Sequence, residues 1–310
     1  MTRTVVALGG NTLLRRGEQS LDAERRRIRE AAALVARLRD RGREIVLTHG
    51  NGPQVGHLLL QQEAADVPAQ PLDVLVAETQ AQLGYPLQRE LGNRFDDGAV
   101  TVVTQVRVDP DDPAFDEPTK PVGPFYTAEE AASKPFETAR VSTGDDEPAY
   151  RRVVPSPTPT SVVESAQVRD LLSSGTAVVA GGGGGVPVVD EETDAGERRL
   201  RGVEAVVDKD RTSQVLGTEL DAAELLVLTD VSHAYLDYGT DDQRPLTAVT
   251  PAELRRHADA GEFAAGSMRP KVEACADFVD GGGDRAMITS PDHLWAALDG
   301  EAGTRVTPDD

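Results

Sequence analysis

Lysine is almost absent from this chain. Only Lys120, Lys134, Lys209 and Lys271 occur among 310 residues, so the other 28 of its 32 basic residues are arginine. Against 53 acidic residues the formal net charge is −21, a field that repels polyanions and argues against nonspecific nucleic-acid binding and docking on anionic membranes. Any phosphate it binds must meet a local site. Lysine scarcity beside an acidic excess fits a cytosol of very high salt, where repulsion is screened and carboxylates keep the surface hydrated. An acidic protein encoded by GC-rich, arginine-favouring codons is the alternative.

Other absences narrow the chemistry. The single cysteine, Cys275, excludes an intrachain disulfide and a cysteine-based zinc cluster, and its place in KVEACADFV marks a small packed residue. No run approaches the ~18 apolar residues that span a bilayer. Residues 1–10 enter a strand-like pattern without a signal peptide's apolar region, so a cytoplasmic location is expected. The four lysines are followed by Pro, Pro, Asp and Val, which excludes the Gly-Lys-Ser/Thr of a P-loop. The fingerprint G-x-G-x-x-G fails at Val55 and Val186, and no G-x-S-x-G elbow occurs. The histidines at 49, 57, 233, 257 and 293 lack metal-ligand spacing and default to structural or surface roles.

What is present is an alternation of strands and helices. At ~150 residues per domain the length allows two domains or one large α/β unit. Strand-like runs at Thr4–Leu8, Glu44–Thr48, Val100–Val106, Thr176–Ala180, Leu225–Thr229 and Ala286–Thr289 alternate with helical patterns. Those patterns fall around Ile28–Leu38, from Pro53, and at 72–91, 162–173, 251–260, 270–280 and 291–299. The alternation predicts an α/β fold with a mainly parallel open sheet and helices on both faces. Residues 109–155 depart from it, with eight of the 20 prolines and few apolar runs. Such an insertion is a disordered loop or a small lid, and the aromatics and rare lysine of TKPVGPFY (119–126) favour the lid.

Three of the strands end in glycine turns: Gly9-Gly10-Asn11, Gly50-Asn51-Gly52 and Gly181–Gly185. Strand ends of this kind are where open α/β sheets bind ligands, because a backbone without Cβ lets N–H groups converge on an anion. Tight turns chosen for geometry alone are the alternative reading. The lysines sharpen the choice, since a chain poor in lysine keeps it where a compact ammonium cannot be replaced by a planar guanidinium. Lys209, in Asp208-Lys209-Asp210, and Lys271, after Gly266-Ser267-Met268, fit phosphoryl transfer by positioning and charge neutralisation. Surface ion pairs are the plainer alternative, and Lys134, in Ala-Ser-Lys-Pro, reads as solvated.

These residues belong to segments that resemble the amino-acid-kinase family and, within it, its carbamate-kinase group. The matching segments are VVALGGNTLL (5–14), THGNGPQVGHLLLQQEAAD (48–66), PLDVLVAETQAQLGY (71–85), VTQVRVDPDDPAFDEPTKPVGPFYT (103–127), RRVVPSPTP (151–159), AGGGGGVPVV (180–189), GVEAVVDKD (202–210) and GSMRPKVEA (266–274). The resemblance implies a single domain over 1–310, a three-layer α/β/α sandwich whose 109–155 insertion protrudes as a lid subdomain. It also implies a homodimer that interconverts carbamate and carbamoyl phosphate with ATP, ADP and Mg2+, making ATP in arginine fermentation or, as the alternative, carbamoyl phosphate for biosynthesis.

Residue by residue, the resemblance implies that Gly9, Gly10 and Asn11 bind transferring phosphate oxygens and that Gly50, Asn51 and Gly52 hold carbamate or carbamoyl phosphate. Lys209 and Lys271 would neutralise the transferring group, Asp210 would orient them, and Lys120 would reach down from the insertion. Gly181, Gly182, Asp208, Gly266, Ser267 and Met268 would serve the nucleotide, with no dedicated metal ligand. Three positions depart from the family pattern: Thr158 stands where lysine is usual, Arg211-Thr212-Ser213 where an apolar residue and Ala-Ser are usual, and Asp230 where glycine is usual. Another small-molecule kinase of this fold, or a silent nucleotide- or anion-binding protein, is the rival reading.

Overall fold

The central sheet follows from strands that are apolar on both faces. The computed structural model describes residues 1–13, 20–66, 68–141, 149–193, 195–264 and 266–309, with the side chains of Asn11 and Thr12 outside that description. Strand β1 (Thr2–Leu8) lies inside an eight-stranded sheet, with Val5 and Ala7 in one core and Val6 and Leu8 in another. Burial of alternate residues on opposite sides is what a strand covered by helices on both faces requires.

From edge to edge the sheet runs β15 (Ala248–Val249), β17 (Thr304–Val306), β16 (Arg285–Thr289), β12 (Glu224–Leu228), β1, β2 (Arg43–His49), β9 (Ala177–Val179) and β3 (Ala99–Thr101). Its neighbours pair in parallel, apart from the antiparallel pair β16 and β17. Helices α2 (Leu21–Asp40), α4 (Leu72–Gly92) and α10 (Leu294–Leu298) cover one face through Ile28, Val35, Leu83, Leu87 and Leu294. On the other face, α6 (Ser165–Ser173), α7 (Lys209–Glu219), α8 (Pro251–Asp259) and α9 (Met268–Asp280) contribute Val168, Leu216, Leu254, Val272 and Phe278. Local signals agree with the packing. Ser20 caps α2 by accepting from the Ala23 amide at 3.2 Å, with Asp22 and Glu24 in the first turn and Arg37 and Arg39 in the last.

The single strand expected at Val100–Val106 is instead two. Past β3 the chain turns at Thr104, whose N–H and C=O are both satisfied by the Gln80 side chain from α4, at 2.8 and 3.0 Å. Freed from the main sheet, β4 (Gln105–Val108) joins β10 (Val186–Glu192), β11 (Arg198–Gly202) and β8 (Pro159–Val162) in a four-stranded sheet. The proline-rich insertion carries its own antiparallel sheet, β5 (Lys120–Tyr126), β7 (Ala149–Val154) and β6 (Thr138–Val141), beside the short α5 (Ala128–Ala132). A hairpin of β13 (Tyr235–Leu236) and β14 (Arg244–Pro245) follows β12.

Chain order reverses at β1: β2 lies on one side of it and β12 on the other. Ligands in open α/β sheets bind at such a switch point, beyond the carboxyl ends of the strands. The opposite end of the sheet is closed by Glu224, which accepts from Arg43 at 2.7 Å, Arg285 at 2.8 Å and Thr4 at 2.9 Å.

Candidate functional site

At the carboxyl end of β1 the chain passes through Gly9 into α1 (Gly10–Leu13), and at the end of β2 through Gly50 and Asn51 into α3 (Gly52–Ala64). The two turns touch: a Cβ on Gly50 would lie 3.1 Å from the nitrogen and Cα of Gly10. Their amides divide by role. Those of Gly9 and Gly50 complete the sheet, donating to Leu228 O at 2.8 Å and Leu8 O at 3.2 Å. Gly10 and Gly52 open helices, where the first amides have no intrahelical acceptor. Asn51 is buried and donates from Nδ2 to Thr79 Oγ1 at 2.8 Å.

Three of the four lysines converge here on two aspartates. Asp208 caps α7 by accepting from the Asp210 amide at 2.9 Å through Oδ1, and its Oδ2 accepts from Lys120 Nζ at 3.0 Å. Asp210 accepts from Lys209 through Oδ1 and from Lys271 Nζ, at 3.0 Å, through Oδ2. Lys271 also donates to Ser267 O at 3.0 Å. The cluster therefore gathers ammonium groups from the insertion, α7 and α9 around two carboxylates. It carries one net positive charge, a surplus suited to an incoming anion.

Burial separates the two inner lysines. Lys209 has its pKa lowered by desolvation, with the neighbouring Lys271 adding to the effect and Asp210 opposing it. Burial also works against the charged form of Lys271, but Asp210, by charge and by hydrogen bond, holds its pKa above the ordinary lysine value. For Asp208, burial opposes ionisation, yet Lys120 and Lys209 hold its carboxyl well below the usual range. Asp208 is thus an ionised partner for Lys120 and Lys209.

Beside the cluster opens a cavity of about 490 Å³. Gly9, Gly10, Asp230, Ser267 and Lys271 line it with polar groups, and Tyr235, Tyr238, Phe263 and Met268 with apolar and aromatic ones. That volume and this mixed lining suit a ligand that carries both an aromatic ring and phosphates.

Gly181 and Gly182 are not brought to this cavity, nor is Asp208. The run Gly181–Gly185 is buried, and the amides of Gly181, Gly184 and Gly185 donate to Thr104 Oγ1, Gly181 O and Gly182 O. Its glycines are needed for close approach. A Cβ on Gly183 would lie 2.0 Å from Asn51 Nδ2, and one on Gly184 only 2.1 Å from Val207 O. The run is the bed on which Asn51 and the segment entering α7 lie. Thr212, on α7, donates to Gly184 O at 2.7 Å, and Ser213 bonds Thr48 Oγ1 at 2.7 Å, so Arg211-Thr212-Ser213 ties α7 to this bed and to β2.

Two of the departures from the family pattern meet at the rim. Arg211 donates to Thr158 Oγ1 at 3.1 Å and to Glu273 Oε2 at 3.0 Å. Gly266 follows a position outside the described residues, and the Asn11 side chain also lies outside them.

Three features add to the sequence reading. His49, fully buried, engages Gly50 O through Nδ1 at 3.1 Å; burial, aided by the positive Lys209 and resisted by that hydrogen bond, lowers its pKa to about 4. The aromatic wall left no periodic signal, because Tyr235 lies in the two-residue strand β13 and Tyr238 and Phe263 lie outside helices and strands. Lys134, expected to be solvated, instead donates to Glu63 Oε2 at 2.6 Å.

With this geometry in hand, comparison with known proteins is informative. A profile of the amino acid kinase family matches residues 2–290. The chain is 52% identical, over the full length of both, to a carbamate kinase of Halobacterium salinarum. It is 45% identical, over 99% of each, to a carbamate kinase of Pyrococcus horikoshii. A solved carbamate kinase from Giardia lamblia bound to AMP-PNP superposes with a TM-score of 0.88 at 37% identity, covering 99% of both chains.

Proposed function

The chain belongs to the amino acid kinase family, among its carbamate kinases, and from that premise we propose how its residues carry the reaction. The reaction is reversible phosphoryl transfer between ATP and carbamate. A carbamate oxygen forms a bond to the γ-phosphorus as the bond to the bridging oxygen of ADP breaks; carbamoyl phosphate and ADP result. Carbamate is already an anion, so the attacking oxygen needs no base.

The observation that carries this reading is the convergence of Lys120, Lys209 and Lys271 on Asp208 and Asp210 beside a nucleotide-sized cavity. Lys209 and Lys271 neutralise the transferring phosphoryl group, and Asp210 holds them for it. The Gly10 amide and the start of α3 at Gly52 meet phosphate and carbamate oxygens, Gly9 lets the phosphates approach, and Gly50 and Asn51 set that turn. Adenine lies against Tyr235, Phe263 and Met268, with Ser267 near the phosphates. The insertion acts as a lid whose Lys120 closes on the acyl-phosphate side.

Among the described residues no group of three or more His, Cys, Asp or Glu is placed to hold a metal ion. Mg2+ is proposed to enter with the nucleotide phosphates as part of the substrate. The proposal includes a homodimer, read by light scattering, and use of the reaction to make ATP in arginine fermentation.

The test is ATP formation from ADP, Mg2+ and carbamoyl phosphate in molar KCl, with Lys209→Met alongside. Rapid formation that falls on the order of 10²-fold or more in the variant supports the assignment. A folded, ADP-binding protein with no turnover, or an unimpaired variant, overturns it.

A further inference from the structure

Strand β5 carries Lys120 at one end and Tyr126 at the other, with Gly123 midway between them. Its pairing to β7 is regular from Lys120 to Val122 and resumes only at Tyr126, so strand pairing alone does not fix its course. Helix α3 supplies further support. Val122 and Val154 form a small core with Val55 and Leu59, and Gly123, at φ +73°, lies against α3 close to Gly56 and Leu59. The third attachment is polar: Tyr126 donates its hydroxyl to Glu63 Oε1, and Lys134 donates to Glu63 Oε2 at 2.6 Å while its Nζ sits 4.3 Å from the Tyr126 ring centroid.

Gly123 is thus a fulcrum with arms of three residues, each about 10 Å at the usual rise of a strand. One arm ends at the latch on α3, and the other presents Lys120 to Asp208 at 3.0 Å. The same helix begins at Gly52, so α3 couples the latch to the turn beside the lysine cluster. Lysine economy adds an independent argument. In a chain with 28 arginines and four lysines, the one lysine outside the cluster is the compact ammonium that meets both a carboxylate and the face of a ring.

We infer that Tyr126, Glu63 and Lys134 are positioning residues that hold Lys120 over the acyl-phosphate side of the site. The inference rests on the role given to Lys120 above. The test measures kcat and the KM values for carbamoyl phosphate and ADP in Tyr126→Phe, Lys120→Ala and the double variant, with melting temperatures recorded for each. Tyr126→Phe is expected to raise KM for carbamoyl phosphate roughly three- to tenfold, the scale of one typical net hydrogen bond, with KM for ADP unchanged. In the Lys120→Ala background the same substitution is expected to have no further effect. An equal fold-change in both backgrounds, or no change in either, overturns the latch while leaving Lys120 in place. If Lys120→Ala itself leaves KM for carbamoyl phosphate unchanged, the role of Lys120 falls and the latch with it. Glu63→Gln and Lys134→Met repeat the comparison should Tyr126→Phe fail to fold.

Discussion

Gly184→Ala separates a packing role for the glycine run from a ligand-binding one. Gly184 has φ +91°, and a Cβ there would lie 2.1 Å from Val207 O and 3.3 Å from Asp208 C. The left-handed backbone costs an L-residue about 1–2 kcal/mol, and forcing a methyl group against a backbone carbonyl adds about 1–3 kcal/mol. The sum, about 2–5 kcal/mol, is a large part of the 5–15 kcal/mol that typically holds a domain together. Relief requires Val207 and Asp208 to move, and Lys209 with them; displacement of about 1 Å can cost on the order of 10²-fold in rate. Gly10→Ala is the control, since a Cβ there meets nothing within 4 Å but enters the cavity that Gly10 lines. Urea unfolding and steady-state kinetics on both variants are expected to diverge. Gly184→Ala loses stability and kcat together, whereas Gly10→Ala keeps its stability within about 1 kcal/mol and loses affinity for ADP. Wild-type stability in Gly184→Ala would refute the reasoning.

Two further outcomes follow from charge. The pKa of His49 falls from 6.5 to about 4 on folding, so between those values the unfolded chain binds more protons. Stability is fully present above pH 6.5 and declines by roughly 3 kcal/mol as pH falls to 4; His49→Asn is expected to flatten that acid limb in urea titrations, and an unchanged limb removes His49 as its source. A net charge of −21 repels itself at low ionic strength, so the melting temperature is expected to rise between dilute buffer and molar KCl; a temperature that falls with KCl contradicts a fold adapted to high salt.

The two-faced burial of β1, β2 and β9 was legible because unbroken apolar runs bounded by glycine have few other uses. The break between β3 and β4 was not, since it is made by Gln80, from another helix, satisfying the backbone of Thr104. No local pattern announces a partner 24 residues away. Glycine turns posed a subtler problem. Gly10 and Gly184 look alike in sequence, yet one opens a helix beside empty space and the other lies under a carbonyl. Absence of a side chain can admit a ligand or admit the protein's own backbone, and only the surroundings decide. Lysine scarcity located the chemistry more reliably, because it marks positions where one cation has not been exchanged for another, although it gave no hint that Lys134 would bridge to Glu63.

That same scarcity bears on why position 211 carries arginine while 209 carries lysine. Arg211 lies at the rim, where its planar fork reaches Thr158 and Glu273 at once, and a part-exposed setting leaves room for it. Lys209 is only 11% exposed, and a Cβ added to Gly50 would lie 3.7 Å from its Cδ. A guanidinium there has the charge but not the shape: it is broader, its donors are fixed in a plane, and Asp210 already divides its two oxygens between Lys209 and Lys271. Lys209→Arg is therefore expected to cost nearly as much kcat as Lys209→Met, despite keeping the charge, and to disturb ADP binding through displaced Lys271. Should the arginine variant retain kcat within a fewfold of wild type, net charge alone would suffice at this position, and the argument from lysine's compactness would fail for Lys271 and Lys120 as well.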